Sequence, residues 1–292
     1  MTRFTVGNLM RFGLDAHPLD LDLTLGCGQV FRWTRQSDGS WRGVLSDQLV
    51  TLMTDHGMTT AEVRPGRRGA KALVHNYFRS ADDAARIQRR LARDPVLAGG
   101  VAEFKGLRIV KMDEWECLMS YILATYANIP RIAKMIDTLA IRYGAVVADG
   151  VHSFPTVDEL RMARVADLER CGLGYRAKYV HDACRAADRT SIDELRRLPY
   201  EDLRGELMKL PGVGEKVADC VSLFGFGKLE AFPIDVWIER ALRRLYHQRG
   251  SYRKLREFAC ERFGGLAGYA QEYLYFNERV RVANGACVFS KK

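Results

Sequence analysis

The sequence predicts an α+β protein: a small antiparallel sheet domain followed by a helical bundle. Two observations carry this. Residues 20–65 alternate apolar and polar positions between turn-forming residues, and from about residue 110 the apolar positions recur at helical spacing. A chain of 292 residues suits about two domains and a core that needs no disulfide. The change of character sets the sheet domain at 1–110 and the helical core at 111–292.

Leu19–Leu25 (LDLDLTL) alternates strictly and reads as a strand, and Gln29–Thr34 (QVFRWT) follows a Gly-Cys-Gly break. Ser40–Asp55 reads as two short strands meeting near Ser46 and Asp47, with Thr60–Val63 as another. Ala72–Ser80 and Asp82–Pro95 resemble helices. From there the second half reads as helical throughout. Asp113–Tyr126 is too apolar for a surface helix and is expected to be buried. Asn128–Tyr143 places Ile132, Met135, Ile136 and Leu139 at helical spacing, and Thr156 with Glu159 forms a capping-box pattern.

With 45 Lys and Arg against 36 Asp and Glu, the chain carries +9, which suits a polyanionic partner. At 47% hydrophobic and 28% charged it is an ordinary globule rather than a disordered tail. No apolar run is long enough to span a membrane, and an acid and glycines come too early for a signal peptide. The seven cysteines are scattered, no two closer than Cys171 and Cys184. That spacing excludes zinc ribbons and a tight four-cysteine cluster, and suits buried thiols in a reducing compartment.

The sharpest motif is Leu210-Pro-Gly-Val-Gly214 between helical stretches over Tyr200–Lys209 and Glu215–Phe226. Gly212 and Gly214 permit positive φ and close backbone approach. The free N–H groups of the second helix then suit a phosphate oxygen. This is a helix-hairpin-helix, a sequence-tolerant grip on a DNA backbone. Lys216 follows two residues later and Asp235 lies in Phe232-Pro-Ile-Asp-Val-Trp237. An amine that attacks a sugar carbon must be neutral, and a free lysine is so only about once in 10³ at pH 7. A helix N-terminus and burial both disfavour an ammonium. A carboxylate at Asp235, expected as an N-cap, would stabilise an oxocarbenium-like centre. Each residue alone also has a plain structural reading: a surface lysine, a cap, a strand break at Gly28, a surface Gln271, a core aromatic at Tyr275.

Together these residues resemble the 8-oxoguanine DNA glycosylases of the helix-hairpin-helix (HhH-GPD) superfamily. Five stretches carry the resemblance: Gly28-Gln-Val-Phe-Arg-Trp33; Glu116-Cys-Leu-Met-Ser-Tyr121 with Asn128-Ile-Pro-Arg131; Gly172-Leu-Gly-Tyr-Arg-Ala-Lys-Tyr179; Leu210–Cys220; and Tyr269-Ala-Gln271 to Tyr275. The resemblance implies a TBP-like sheet domain and a bifunctional enzyme that excises oxidised guanine and nicks the abasic strand. Lys216 and Asp235 match the catalytic pair. Gly28, Cys220, Gln271 and Tyr275 match the pocket for the flipped base. Asn128, Arg131, Tyr175, Arg176, Gly212, Gly214, Val217 and Trp237 match DNA-contacting positions, with Arg131 and Arg176 at the orphaned cytosine and Tyr175 as a wedge. Tyr126-Ala127-Asn128 stands where the family has a run of asparagines, Trp237 where it has a histidine, and Tyr275 where it commonly has phenylalanine. The implied partner is double-stranded DNA containing oxidised guanine, met by a monomer without metal or organic cofactor. Its place would be the nucleoid in a prokaryote or the nucleus in a eukaryote. Two rivals stand beside this reading. A glycosylase for alkylated or mismatched bases would need the aspartate but usually no lysine at 216. A non-catalytic DNA-binding module would have no use for the Lys216–Asp235 pairing.

Overall fold

The computed structural model describes residues 8–148, 150–187 and 192–284. Strands β1 (Met10–Gly13), β2 (Trp33–Arg35), β3 (Trp41–Leu45), β4 (Gln48–Asp55) and β5 (Met58–Arg64) form one antiparallel sheet in the order β1-β5-β4-β3-β2. The β3–β4 hairpin turns at Ser46 and Asp47 as expected. The β4–β5 hairpin closes through His56 and Gly57, both at positive φ, which matches a two-residue type I′ turn. Alternation turns Val50, Leu52, Ala61 and Val63 into the core, paired Val50–Val63 and Leu52–Ala61.

Leu19–Leu25 is not a strand. Leu21–Gly26 is a short helix, α1, and Asp20 caps it by accepting from the Leu23 amide at 2.9 Å. The alternating leucines satisfy both periods, because Leu21, Thr24 and Leu25 also fall on one helical face, which is buried. Only Trp33 and Thr34 of the QVFRWT stretch are strand, and residues 28–32 form a loop. The edge strand β1, too short to show a pattern, was not anticipated.

Helices α2 (Ala70–Tyr77), α3 (Ala84–Leu91) and α4 (Ala98–Glu103) follow the sheet. The fully buried Arg108 guanidinium binds this part together, donating to the carbonyls of Ala16, Phe78, Arg79 and Asp82. Then come α5 (Glu114–Leu123), buried along nearly its whole length, and the amphipathic α6 (Ile129–Tyr143). A two-stranded ribbon, β6 (Val146–Ala148) with β7 (Val151–His152), interrupts the half expected to be wholly helical. It is followed by α7 (Val157–Arg161), opened by the expected Thr156–Glu159 capping box, and α8 (Val165–Leu168). The remainder is α9 (Arg176–Ala186), α10 (Ile192–Arg197), α11 (Tyr200–Met208), α12 (Glu215–Phe224), α13 (Val236–Leu245), α14 (Tyr252–Phe263) and α15 (Ala267–Asn284). One continuous apolar core runs from the sheet into these helices. Among the described residues no helix is long and apolar enough to cross a membrane. Cys287 lies outside the described residues; the other six cysteines are free thiols.

Candidate active site

The α11–α12 hairpin is built as its glycines require. Gly212 has φ +81°, and a Cβ there would lie 2.7 Å from the Cβ of Tyr179, so close approach and handedness both demand glycine. Gly214 does not use the freedom a glycine has. Its backbone is extended, with φ −94°, and it needs no left-handed freedom. Its contribution is to cap α12 without a side chain, leaving the first amides uncapped for an outside acceptor. The Val217 side chain is buried.

A buried polar network locks the hairpin to the second catalytic candidate. The fully buried Asp219 carboxylate accepts from Tyr200 Oη at 2.6 Å, Tyr252 Oη at 2.6 Å and Arg204 Nε at 2.9 Å. Arg204 also reaches Glu215 at 2.9 Å. The Tyr252 hydroxyl in turn accepts from the Ile234 amide at 3.2 Å. The chain from α12 through α14 therefore fixes the residue preceding Asp235. Asp235 is the N-cap of α13, with Oδ1 accepting from the Trp237 and Ile238 amides at 2.9 Å each.

Lys216 and Asp235 line one cavity of about 830 Å³. The Lys216 ammonium lies 5.1 Å from the centroid of the Tyr121 ring, a cation–π contact. That ring stacks on Phe224, with centroids 5.6 Å apart. One turn along α12, Cys220 faces the lysine. Burial pushes its thiol up to about 12, opposed by the Lys216 charge, so the thiol is neutral and offers a smooth wall.

The rest of the cavity collects Gly28, Gln271 and Tyr275. Gly28 has φ +104°, and a Cβ there would lie 2.7 Å from Ile129 Cδ1 and 2.9 Å from an Arg279 nitrogen. The peptides on either side are clamped. Arg279 donates to the Cys27 carbonyl, and Tyr121 Oη donates to the Gln29 carbonyl at 3.1 Å. The buried Gln29 amide bonds the carbonyls of Thr24 and Arg108 and the amide of Val110. Gln271 is 6% exposed and its Oε1 has no partner among the described residues. Arg279 lies over the half-buried Tyr275 ring, 5.5 Å from its centroid. Burial raises the Tyr275 phenol, so the ring is neutral.

Of the expected DNA contacts, Asn128, Gly212, Gly214, Val217 and Trp237 line the cavity, whereas Arg131, Tyr175 and Arg176 do not. Asn128 caps α6, accepting from the Arg131 amide at 3.0 Å, and the Arg131 side chain is exposed. Tyr175 is half exposed and donates to the Thr125 carbonyl at 3.2 Å. Arg176 is 2% exposed, and its Nε donates to the same carbonyl at 2.9 Å. Of the two arginines, only Arg131 is therefore open to solvent. Trp237 lines the cavity and stacks with the Arg240 guanidinium. The cavity residues that escaped the sequence reading of the site include Glu272, Arg279 and, in role, Tyr126. Tyr126 is 94% exposed at positive φ (51°), an aromatic ring held out over the mouth. A positive-φ, non-glycine residue beside Asn128 leaves no trace in composition.

The family model for the N-terminal domain of 8-oxoguanine DNA glycosylase matches residues 11–118, and that for HhH-GPD superfamily base excision DNA repair proteins matches residues 119–264. The chain belongs to the 8-oxoguanine DNA glycosylase/lyase family. A Clostridium acetobutylicum 8-oxoguanine glycosylase/lyase, solved with double-stranded DNA containing cytosine opposite 8-oxoG, is 32% identical. That match covers 92% of this chain and 93% of that one, with a TM-score of 0.85. A probable N-glycosylase/DNA lyase of Methanothermobacter thermautotrophicus is 33% identical over 60% of this chain, which spans 64% of that relative's length. The N-glycosylase/DNA lyase OGG1 of Arabidopsis thaliana is 27% identical over 89% of this chain and 77% of its own. The two family models meet inside α5, so the sheet and the helical core share that buried helix.

Proposed function

We propose that this enzyme extrudes 8-oxoguanine from double-stranded DNA, excises it by attack of Lys216, and then nicks the abasic strand. The observation that carries the reading is the convergence of Lys216 and Asp235, each at a helix N-terminus, on one cavity large enough for a base. The target must leave the stack for its glycosidic carbon to be reached. The Lys216 amine attacks C1′ once it has given up its proton. The C1′–N9 bond breaks, its electron pair leaving with the base, which takes up a proton. Asp235 stabilises the positive charge that develops on the sugar. The amine loses its proton, the sugar opens to a Schiff base, and loss of a C2′ proton expels the 3′ phosphate.

In this reading Cys220 and Tyr275 sandwich the extruded base, and Gln271 supplies a donor and an acceptor to its edge. The clamped Gly28 peptide offers its carbonyl to the N7–H that distinguishes 8-oxoguanine from guanine. Arg131 reads the orphaned base: a guanidinium only donates, so it suits the acceptors of cytosine better than the amino edge of adenine. Support for cytosine as the preferred partner comes from the exposed Arg131 and from the cytosine-paired DNA held by the Clostridium relative. Such an enzyme works at the nucleoid of a prokaryote or in the nucleus of a eukaryote. A denaturing gel of an 8-oxoguanine·cytosine duplex tests the proposal. A nicked strand without added alkali is expected. Product only after alkali would mean a glycosylase without lyase activity, and no product at all would leave a DNA-binding module.

A further inference from the structure

The helix that carries Gln271 and Tyr275 brings a third polar group to the cavity. Glu272, Tyr275 and Arg279 recur at i, i+3 and i+7, one face of α15, and all three line the cavity. Glu272 is 2% exposed, and its Oε2 has no hydrogen-bond partner among the described residues. Arg279 donates instead to the Cys27 carbonyl. Buried polar atoms without partners are rare and destabilising in folded proteins, and the residue that carries this one lines the cavity that the reading above assigns to a polar base. We propose that Glu272 is a second base-reading residue, whose uncharged carboxyl donates a hydrogen bond to a carbonyl oxygen of the extruded oxidised purine. This rests on the base-excision reading above and adds a contact to it.

The charge state follows from what surrounds the carboxyl. Burial pushes Glu272 up to about 8, with Arg279 opposing and Asp235 adding to the rise. Cys27 from the loop after α1, Tyr121 from α5 and Tyr275 from α15 also face it. Burial moves all three upward, away from the neutral range. An uncharged carboxyl has one O–H to give, whereas a carboxylate only accepts and would repel the carbonyl oxygens of the base. A carboxyl with a midpoint near 8 is about nine-tenths uncharged at pH 7 and about one-tenth at pH 9. Base recognition should therefore weaken as pH rises through 8.

The test measures binding in the Lys216→Gln background, where the base stays attached. Fluorescence anisotropy compares an 8-oxoguanine·cytosine duplex with one carrying a tetrahydrofuran abasic analogue. The affinity ratio of the two should fall about tenfold between pH 7 and pH 9. Adding Glu272→Gln, which keeps a donor but cannot ionise, should flatten that fall. Adding Glu272→Leu should lower the ratio about tenfold already at pH 7. Unchanged affinity for the abasic analogue would show that this variant still folds and binds DNA. A Glu272→Leu variant that keeps the parental ratio overturns the proposal, as does an alkaline fall that persists with Gln. If the Lys216→Gln parent itself fails to prefer 8-oxoguanine over an undamaged duplex, the base-excision reading falls first and this inference with it.

Discussion

Removing the charge of Asp219 tests whether the buried network joining the hairpin to the Asp235 cap sets both stability and chemistry. In Asp219→Asn the two tyrosine hydroxyls at 2.6 Å and Arg204 Nε at 2.9 Å lose a shared carboxylate. Hydrogen bonds to a charged group contribute about 1.5–3 kcal/mol each, so three set an upper bound of several kcal/mol. Asparagine keeps one acceptor oxygen, and Arg204 keeps Glu215 at 2.9 Å. Breaking a buried pair costs about 3–5 kcal/mol, and with these compensations a loss of about 3 kcal/mol is expected. Urea unfolding should show a lower midpoint with an unchanged slope. The Tyr252 hydroxyl that bonds the Ile234 amide loses its anchor, so single-turnover excision at a temperature where the variant is folded should fall about tenfold or more. A destabilisation below about 1 kcal/mol together with wild-type excision would refute the idea that this network positions the cap.

Asp235→Asn keeps a good N-cap for α13, so thermal stability should change by less than about 1 kcal/mol while single-turnover excision falls by about 10² or more; excision within twofold of wild type would leave Asp235 only its capping role. Gly28→Ala places a methyl 2.7 Å from Ile129 at φ +104°, so it should cost about 1–3 kcal/mol in denaturant unfolding. It should reduce the preference for 8-oxoguanine over guanine, and unaltered discrimination would argue against reading by that peptide. Arg131→Ala should narrow the preference for cytosine over adenine opposite the lesion by about tenfold. Equal losses opposite all four bases would make Arg131 a positioning contact.

Legibility in the sequence followed how local each cause was. The β3–β4 hairpin, the strand at Thr60–Val63, the capping box at Thr156 and the amphipathic α6 are set by residues within a few positions of one another, and all were readable. The leucines of α1 satisfied two periods at once, and burial of Leu21 and Leu25 chose the helix. The Gly-x-Gly pattern permits positive φ at both glycines, and only the first uses it. Gly212 has φ +81° and sits against the Tyr179 side chain, whereas Gly214 is extended, with open space where a Cβ would stand. In the site, Lys216 and Asp235 stood out because each begins a helix. The burial of Arg176 and the placement of Arg279 depend on Thr125 and the Cys27 carbonyl, 51 and 252 residues away, and nothing near them in the chain announces those partners.

The central claim is that Lys216 is the nucleophile, and borohydride trapping addresses it directly. Wild-type protein mixed with an 8-oxoguanine·cytosine duplex and reductant should yield a covalent protein–DNA species on a denaturing gel, through reduction of the Schiff base. Lys216→Gln should still bind the duplex and give no such species. A trapped complex of undiminished yield in that variant would place the nucleophile on another residue.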